Sequence, residues 1–271
     1  MSTNFDKALI MSGNDFKLTN SITLHHPIID EILSLNNGFH SEEIYWQYVH
    51  SIMCDPYANM IMLDDLGKDF LKTSPFEVFL LQWENYQRDY QTNKQQYDLL
   101  GINPLQFIQA ALNFFIVEEH NFELSKHEDG SPCLYDTNNA ECQIDEDIFV
   151  YLYEWLKSIN KIDYSNRIKP ADENARRILI EDARDELKKQ KRRNKKSEDS
   201  FEYIGNLMSA ICFGGNGSIT PFNIKSCSIY WLFEAYSVDN KKSHASHILD
   251  GLYHGTVSSK DIKTQELDWV N

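Results

Sequence analysis

Across residues 181–200 the chain carries only two apolar side chains, Ala183 and Leu187, and charged residues dominate the rest. A stretch of that composition has no face wide enough to pack on two sides, so cores must form before it or after it. Acids and bases recur within it at helical neighbour spacing, as at Asp185 and Lys189, and Pro170 with Asp172 suits a helix start. This part of the chain is therefore expected to be a solvent-exposed connecting helix. It divides the chain into an N-terminal unit (1–165), a charged connector (166–199) and a C-terminal unit (200–271).

Apolar periodicity on both sides of the connector is mostly helical. Pro27 opens a short helix to Leu35, ended by Asn36, Asn37 and Gly38, and Ser41 with Glu42 and Glu43 begins another that reaches Met53. A third is expected from Asp55-Pro56, with Tyr57, Met60, Ile61 and Leu63 on its inner face and Gly67 as its stop. Ser74-Pro75 starts a longer one, whose stripe of Phe76, Phe79, Leu80 and Trp83 continues to Tyr86 and Tyr90. Asn103-Pro104 and Asp145 open two more, the second carrying Ile148, Leu152, Trp155 and Ile159 on one side. Beyond the connector, Phe201, Ile204, Leu207, Met208 and Ile211 restore the period, and a last helical region is expected to restart at Thr220-Pro221.

Two places read as β-hairpins. Residues 7–11 and 16–24 flank a turn at 12–15, and residues 122–126 and 133–135 flank the polar tip 128–131. The fold class is mainly α, a helical bundle-like arrangement with one or two small β-hairpins.

The formal charge is −15, from 41 acidic and 26 basic residues, which opposes general affinity for nucleic acid or an anionic membrane. The N-terminus lacks the basic and apolar regions of a signal peptide, and no apolar run approaches the roughly 20 residues of a membrane helix. Five cysteines at 54, 133, 142, 212 and 227 form no Cys-x-x-Cys pair, and are expected to be reduced, mostly buried thiols rather than a metal site.

Candidate chemistry is sparse. Lys188, Lys189, Lys191, Arg192, Arg193, Lys195 and Lys196 place seven cations in nine residues, enough to attract a phosphate backbone or an acidic partner. No aromatic is interleaved with them, so the stacking platform of single-strand binding is missing, and nucleic acid is not the expected partner. The loop 214–217 lacks the Gly-Lys-Ser/Thr ending of a phosphate cradle, and reads as a helix connection. His244, His247 and His254 cluster without a zinc pattern and read as surface or packing histidines, and Asp64, Asp65 and Asp69 lack calcium-loop spacing. No nucleophile elbow or other catalytic signature occurs. The expectation is a non-enzymatic protein without cofactor or metal. An enzyme would need a site assembled from distant residues. Tyr45 and Trp46 are adjacent and cannot share one helix face, so part of the aromatic surface is a candidate interaction patch.

Three stretches resemble the tail assembly chaperone-like family of tailed phages and prophages. The first holds Asp55-Pro56-Tyr57, Leu63-Asp64-Asp65 with Gly67, and Phe76 with Phe79-Leu80-Leu81. The second is residues 177–187 with their basic continuation. The third comprises residues 207–211, 229–236 and 251–255, leading to Leu267, Asp268 and Trp269. The residues at 122–135 are an insertion relative to the simplest members.

The resemblance implies a helical factor in the cytoplasm of the bacterial host, absent from the finished particle. Such a factor holds the long tape measure protein soluble and helps tail-tube protein assemble around it. A tape measure protein is expected to be a long helix exposing apolar stripes, which amphipathic grooves can shield. The side chains assigned to that contact are Trp46, Phe79, Trp83, Trp231, Tyr253 and Trp269, with the seven cations of 188–196 as an electrostatic contact. The alternatives are a structural tail or baseplate-associated virion protein, and a phage protein that binds nucleic acid through the basic run.

Overall fold

A computed structural model describes residues 5–100, 103–165, 167–194, 203–214 and 219–256, with Ser258, Ile262 and Leu267; at 98–100 and 190–194 only the backbone is described. Its helices are α1 (Lys7–Met11), α2 (Ile29–Ser34), α3 (Ser41–Met53), α4 (Met60–Asp65), α5 (Pro75–Thr92), α6 (Lys94–Leu100), α7 (Pro104–Phe115), α8 (Glu146–Ile159), α9 (Glu173–Asn194), α10 (Tyr203–Gly214) and α11 (Ile229–Tyr253). Two antiparallel sheets complete it: β1 (Phe16–Lys17) with β2 (Thr23–Leu24), and a meander of β3 (Phe122–Lys126), β4 (Pro132–Asp136) and β5 (Asn139–Ile144). The protein is mainly α, as its periodicity predicts. Among the described residues no helix is long and apolar enough to cross a membrane.

Where local chemistry is decisive, helices begin where the sequence places them. Ser74 accepts from the Glu77 backbone N–H and Glu77 returns a carboxylate to the Ser74 N–H, a reciprocal cap ahead of Pro75. Asn103 caps α7, and Asp145 accepts from the Ile148 N–H at the start of α8. The left-handed Gly67 follows α4, a conformation that glycine adopts without steric cost.

Other boundaries move because distant partners compete. Residues 7–11 form a helical turn instead of a strand, which turns Ile10 inward while α1 lies against α11; the hairpin is confined to 16–24. The helix expected from Asp55-Pro56 starts only at Met60, because the Asp55 carboxylate turns inward to bind Arg167 and the backbone of the following turn. Thr220-Pro221 leads into a turn, and α11 begins at Ile229, capped by Ser228. Cys227 and Ser228 stay extended because the Cys227 carbonyl accepts from Ile29 N–H and the Ile229 N–H donates to the Pro27 carbonyl. The second hairpin gains a third strand, β5, whose alternation turns Cys142 and Ile144 inward.

The stripe of α5 meets α8, with Phe79 and Phe149 ring centroids 4.9 Å apart. Tyr45 of α3 reaches the end of α8, donating its hydroxyl to Asn160 Oδ1 at 2.7 Å. Trp155 donates its indole N–H to the His25 carbonyl at 2.7 Å. Ile204, Leu207 and Ile211 of α10 and Ile229, Leu232 and Phe233 of α11 belong to the same cluster of buried side chains. The charged connector is not wholly solvated: Ile180 is buried, Arg184 reaches Asp64 and Asp65 at 2.9 and 2.6 Å, and Arg176 lies 3.7 Å from Asp69, which holds α9 along α4.

Candidate partner-binding surface

The aromatics assigned to a partner from the sequence separate into three groups. Phe79 and Trp83 are interior: both are buried, their centroids lie 5.8 Å apart, and neither can meet another protein in the folded state. Periodicity identifies the stripe on α5 correctly, but α8 covers it. Trp231 and Tyr253 are exposed, Tyr253 at 87%. Trp269 lies outside the described residues.

Trp46 is intermediate. Its ring packs against Tyr203 and Phe233, with centroids at 6.5 and 6.2 Å, and its indole nitrogen is buried without a hydrogen-bond partner among the described residues. With Asn160, Lys161, Tyr203, Phe233 and Tyr236 it lines a cleft of about 300 Å³ where α3 and the end of α8 meet α10 and α11. Nearby, Glu234 binds Lys7 at 2.8 Å and Lys161 at 2.6 Å. Burial pushes the Glu234 carboxyl up, but the two ammonium groups outweigh it and hold its pKa at about 2.

Further exposed apolar side chains were not singled out by the sequence. Phe213 and Phe222 are 80% and 96% exposed, and Tyr203, Tyr236 and Leu249 also reach solvent. With Trp231 and Tyr253 they are large apolar side chains that α10, α11 and residues 219–228 leave in solvent. Spacing cannot separate these positions from core ones, because α11 buries Tyr230, Leu232 and Phe233 beside the exposed Trp231. The Trp231 indole is anchored at its polar end, donating to the Met11 carbonyl at 2.8 Å.

The basic run is less available than its composition suggests. Lys188 binds Asp185 at 2.9 Å and Lys189 binds Glu186 at 2.6 Å, each within α9. For Lys191, Arg192 and Arg193 only the backbone is described, and Lys195 and Lys196 lie outside the described residues. His244, His247 and His254 are exposed on or just beyond α11. The five cysteines are free thiols, all buried but Cys212. A buried group that the sequence did not bring together, His120, Asp136 and Cys142, lies beside the three-stranded sheet.

These exposed side chains of α10, α11 and residues 219–228 fall within the part of the chain that matches a family model, while others, Phe39 and Ile168 among them, lie outside it. The chain's C-terminal part is similar to a phage-associated domain family. Residues 193–271 match the family described as the YomV second domain, less than a third of the chain, and the match takes in α10 and α11. No curated protein and no solved structure matches the chain.

Proposed function

We propose that this protein is a non-enzymatic phage tail morphogenesis factor, acting in the host cytoplasm, that binds the tape measure protein and/or tail-tube subunits. The observation that carries the reading is the solvent-facing set Phe213, Phe222, Trp231, Tyr236, Leu249 and Tyr253, which lies within the stretch matching a phage-associated domain. A helical client with apolar stripes could bury its exposed side chains there, at roughly 25 cal/mol for each Å² removed from water. The net charge of −15 would keep such a complex dispersed. The resemblance of residues 53–81, 177–187 and 207–269 to tail assembly chaperones names the client.

Co-expression with the adjoining tape measure gene tests this. The expected result is a soluble complex that purifies on a tag, with this chain absent from purified virions. Solubility of the client unchanged by co-expression would overturn the proposal. Abundant copies in virions would replace it with a structural tail role.

A further inference from the structure

His120, Cys142 and the carbonyl of Ser21 converge from a loop, β5 and the β1–β2 turn. His120 Nε2 lies 3.0 Å from the Ser21 oxygen and 3.8 Å from Cys142 Sγ, and that sulfur is 4.0 Å from the same oxygen. All three side chains of the group His120, Asp136 and Cys142 are buried. We propose that Nε2, Sγ and the Ser21 carbonyl oxygen bind a thiophilic divalent ion of the zinc class, with Asp136 as the carboxylate that orients the histidine.

The triangle has the size of a coordination face. Zinc bonds of about 2.0–2.3 Å to N, O and S put neighbouring tetrahedral ligand atoms about 3.4–3.6 Å apart. Each observed edge is within about half an ångström of that range, so side-chain adjustments suffice. One nitrogen and one sulfur suit zinc, and a hard cation such as magnesium would reject the thiolate.

What surrounds the triangle is also fixed. Asp136 Oδ2 lies 2.9 Å from His120 Nδ1, the carboxylate–histidine relation that sets the tautomer of a metal-bound imidazole. Its Oδ1 accepts from the Asn121 and Asn138 N–H groups, each at 3.0 Å, at the register shift between Tyr135 and Asp136. The His120 backbone is clamped to α7: its N–H donates to Asn113 Oδ1, and its carbonyl accepts from Gln109 and Asn113. With the backbone held by α7 and Nδ1 held by Asp136, the ring keeps Nε2 directed at the Ser21 carbonyl. On metal entry the thiol proton and any proton on Nε2 leave to solvent, and the remaining ring proton stays on Nδ1, facing Asp136. The fourth position falls to a water or a small anion.

The test uses the full-length chain, freed of metal by chelation and titrated with cobalt(II), a spectroscopic substitute for zinc. One equivalent is expected to raise a near-ultraviolet thiolate-to-cobalt charge-transfer band, which zinc abolishes by displacement. The band should be absent in Cys142→Ser and present in Cys133→Ser, a second buried thiol. Asp136→Asn should keep the band but weaken affinity about 10- to 100-fold. Should Cys142→Ser fail to fold, a zinc-dependent rise in the wild-type melting temperature, lost in His120→Gln, supports the site. Absence of both the band and the rise, or a band that survives in Cys142→Ser, overturns it and leaves a hydrogen-bonded structural cluster.

Discussion

Glu42 caps a helix to which it does not belong. Its Oε1 accepts from the Ile204 N–H at 2.6 Å, and its Oε2 from the Gly205 N–H at 3.3 Å, so a residue in the first turn of α3 satisfies two open donors at the start of α10. The carboxylate also sits at the positive end of the α10 dipole. The contact joins the N-terminal helices to the segment that matches the phage-associated domain.

Glu42→Ala leaves both N–H groups without this acceptor and is expected to cost about 1–2 kcal/mol. Hydrogen exchange should quicken first in α10, and thermal unfolding should shift downward. Glu42→Gln should recover part of the loss, since an amide oxygen still accepts. Unchanged exchange in α10 for the alanine variant would show that the cap contributes nothing.

Acid should weaken the fold through His26. The ring is buried, stands edge-on to Trp155, and neither nitrogen has a hydrogen-bond partner among the described residues. Burial lowers its pKa to about 4, against a partial opposing pull from Asp15. An unfolded imidazole titrates near 6.5. Between pH 6.5 and 4 the unfolded chain therefore holds the extra proton, and stability falls as pH drops through that window, by about 3 kcal/mol in all. Urea unfolding at a series of pH values should give a flatter profile for His26→Leu than for wild type; parallel profiles would exclude His26 as the cause.

The Asp55–Arg167 pair ties the N-terminal helices to the approach to α9. Asp55 is buried and takes two hydrogen bonds from the guanidinium, which lies over the rings of Tyr57 and Tyr164 at 4.8 and 3.3 Å. Asp55→Asn strands a cation among aromatics and is expected to cost about 2–3 kcal/mol. The double variant Asp55→Asn/Arg167→Met should lose less than the sum of the singles. Additive losses in urea unfolding would mean that the two residues act independently.

Core and surface aromatics should respond in opposite ways. Phe79→Ala empties a buried site and is expected to cost about 3–5 kcal/mol. Tyr253→Ser, at an exposed position, should change stability by less than about 0.5 kcal/mol while weakening capture of the tape measure protein. Wild-type capture by Tyr253→Ser combined with Phe222→Ser would move the binding surface elsewhere.

The legible parts of this fold are those decided within a few residues. Ser74 with Glu77, Asn103 with Pro104, and Asp145 each satisfy open helix donors locally, so their helices start where the sequence places them. Residues 7–11, 55–59 and 220–228 defeat local reading because α11 packs on the first, Arg167 draws in the Asp55 carboxylate of the second, and residues 27–29 pair with the end of the third. Phe79 and Trp83 show the limit of periodicity, which identifies a face without saying what covers it. The His120 group is illegible for another reason: Ser21 lies 99 residues from His120 and 121 from Cys142, and no spacing rule spans those separations.

The shared core gives the edge of the family match an unexpected character. Ile204, Leu207, Ile229 and Leu232 are buried in the same cluster as Tyr45, Val49 and Trp155. A cut at the start of the matched segment would therefore open two wet wounds instead of releasing two finished bodies, and each fragment would seek the other, or itself, to close them.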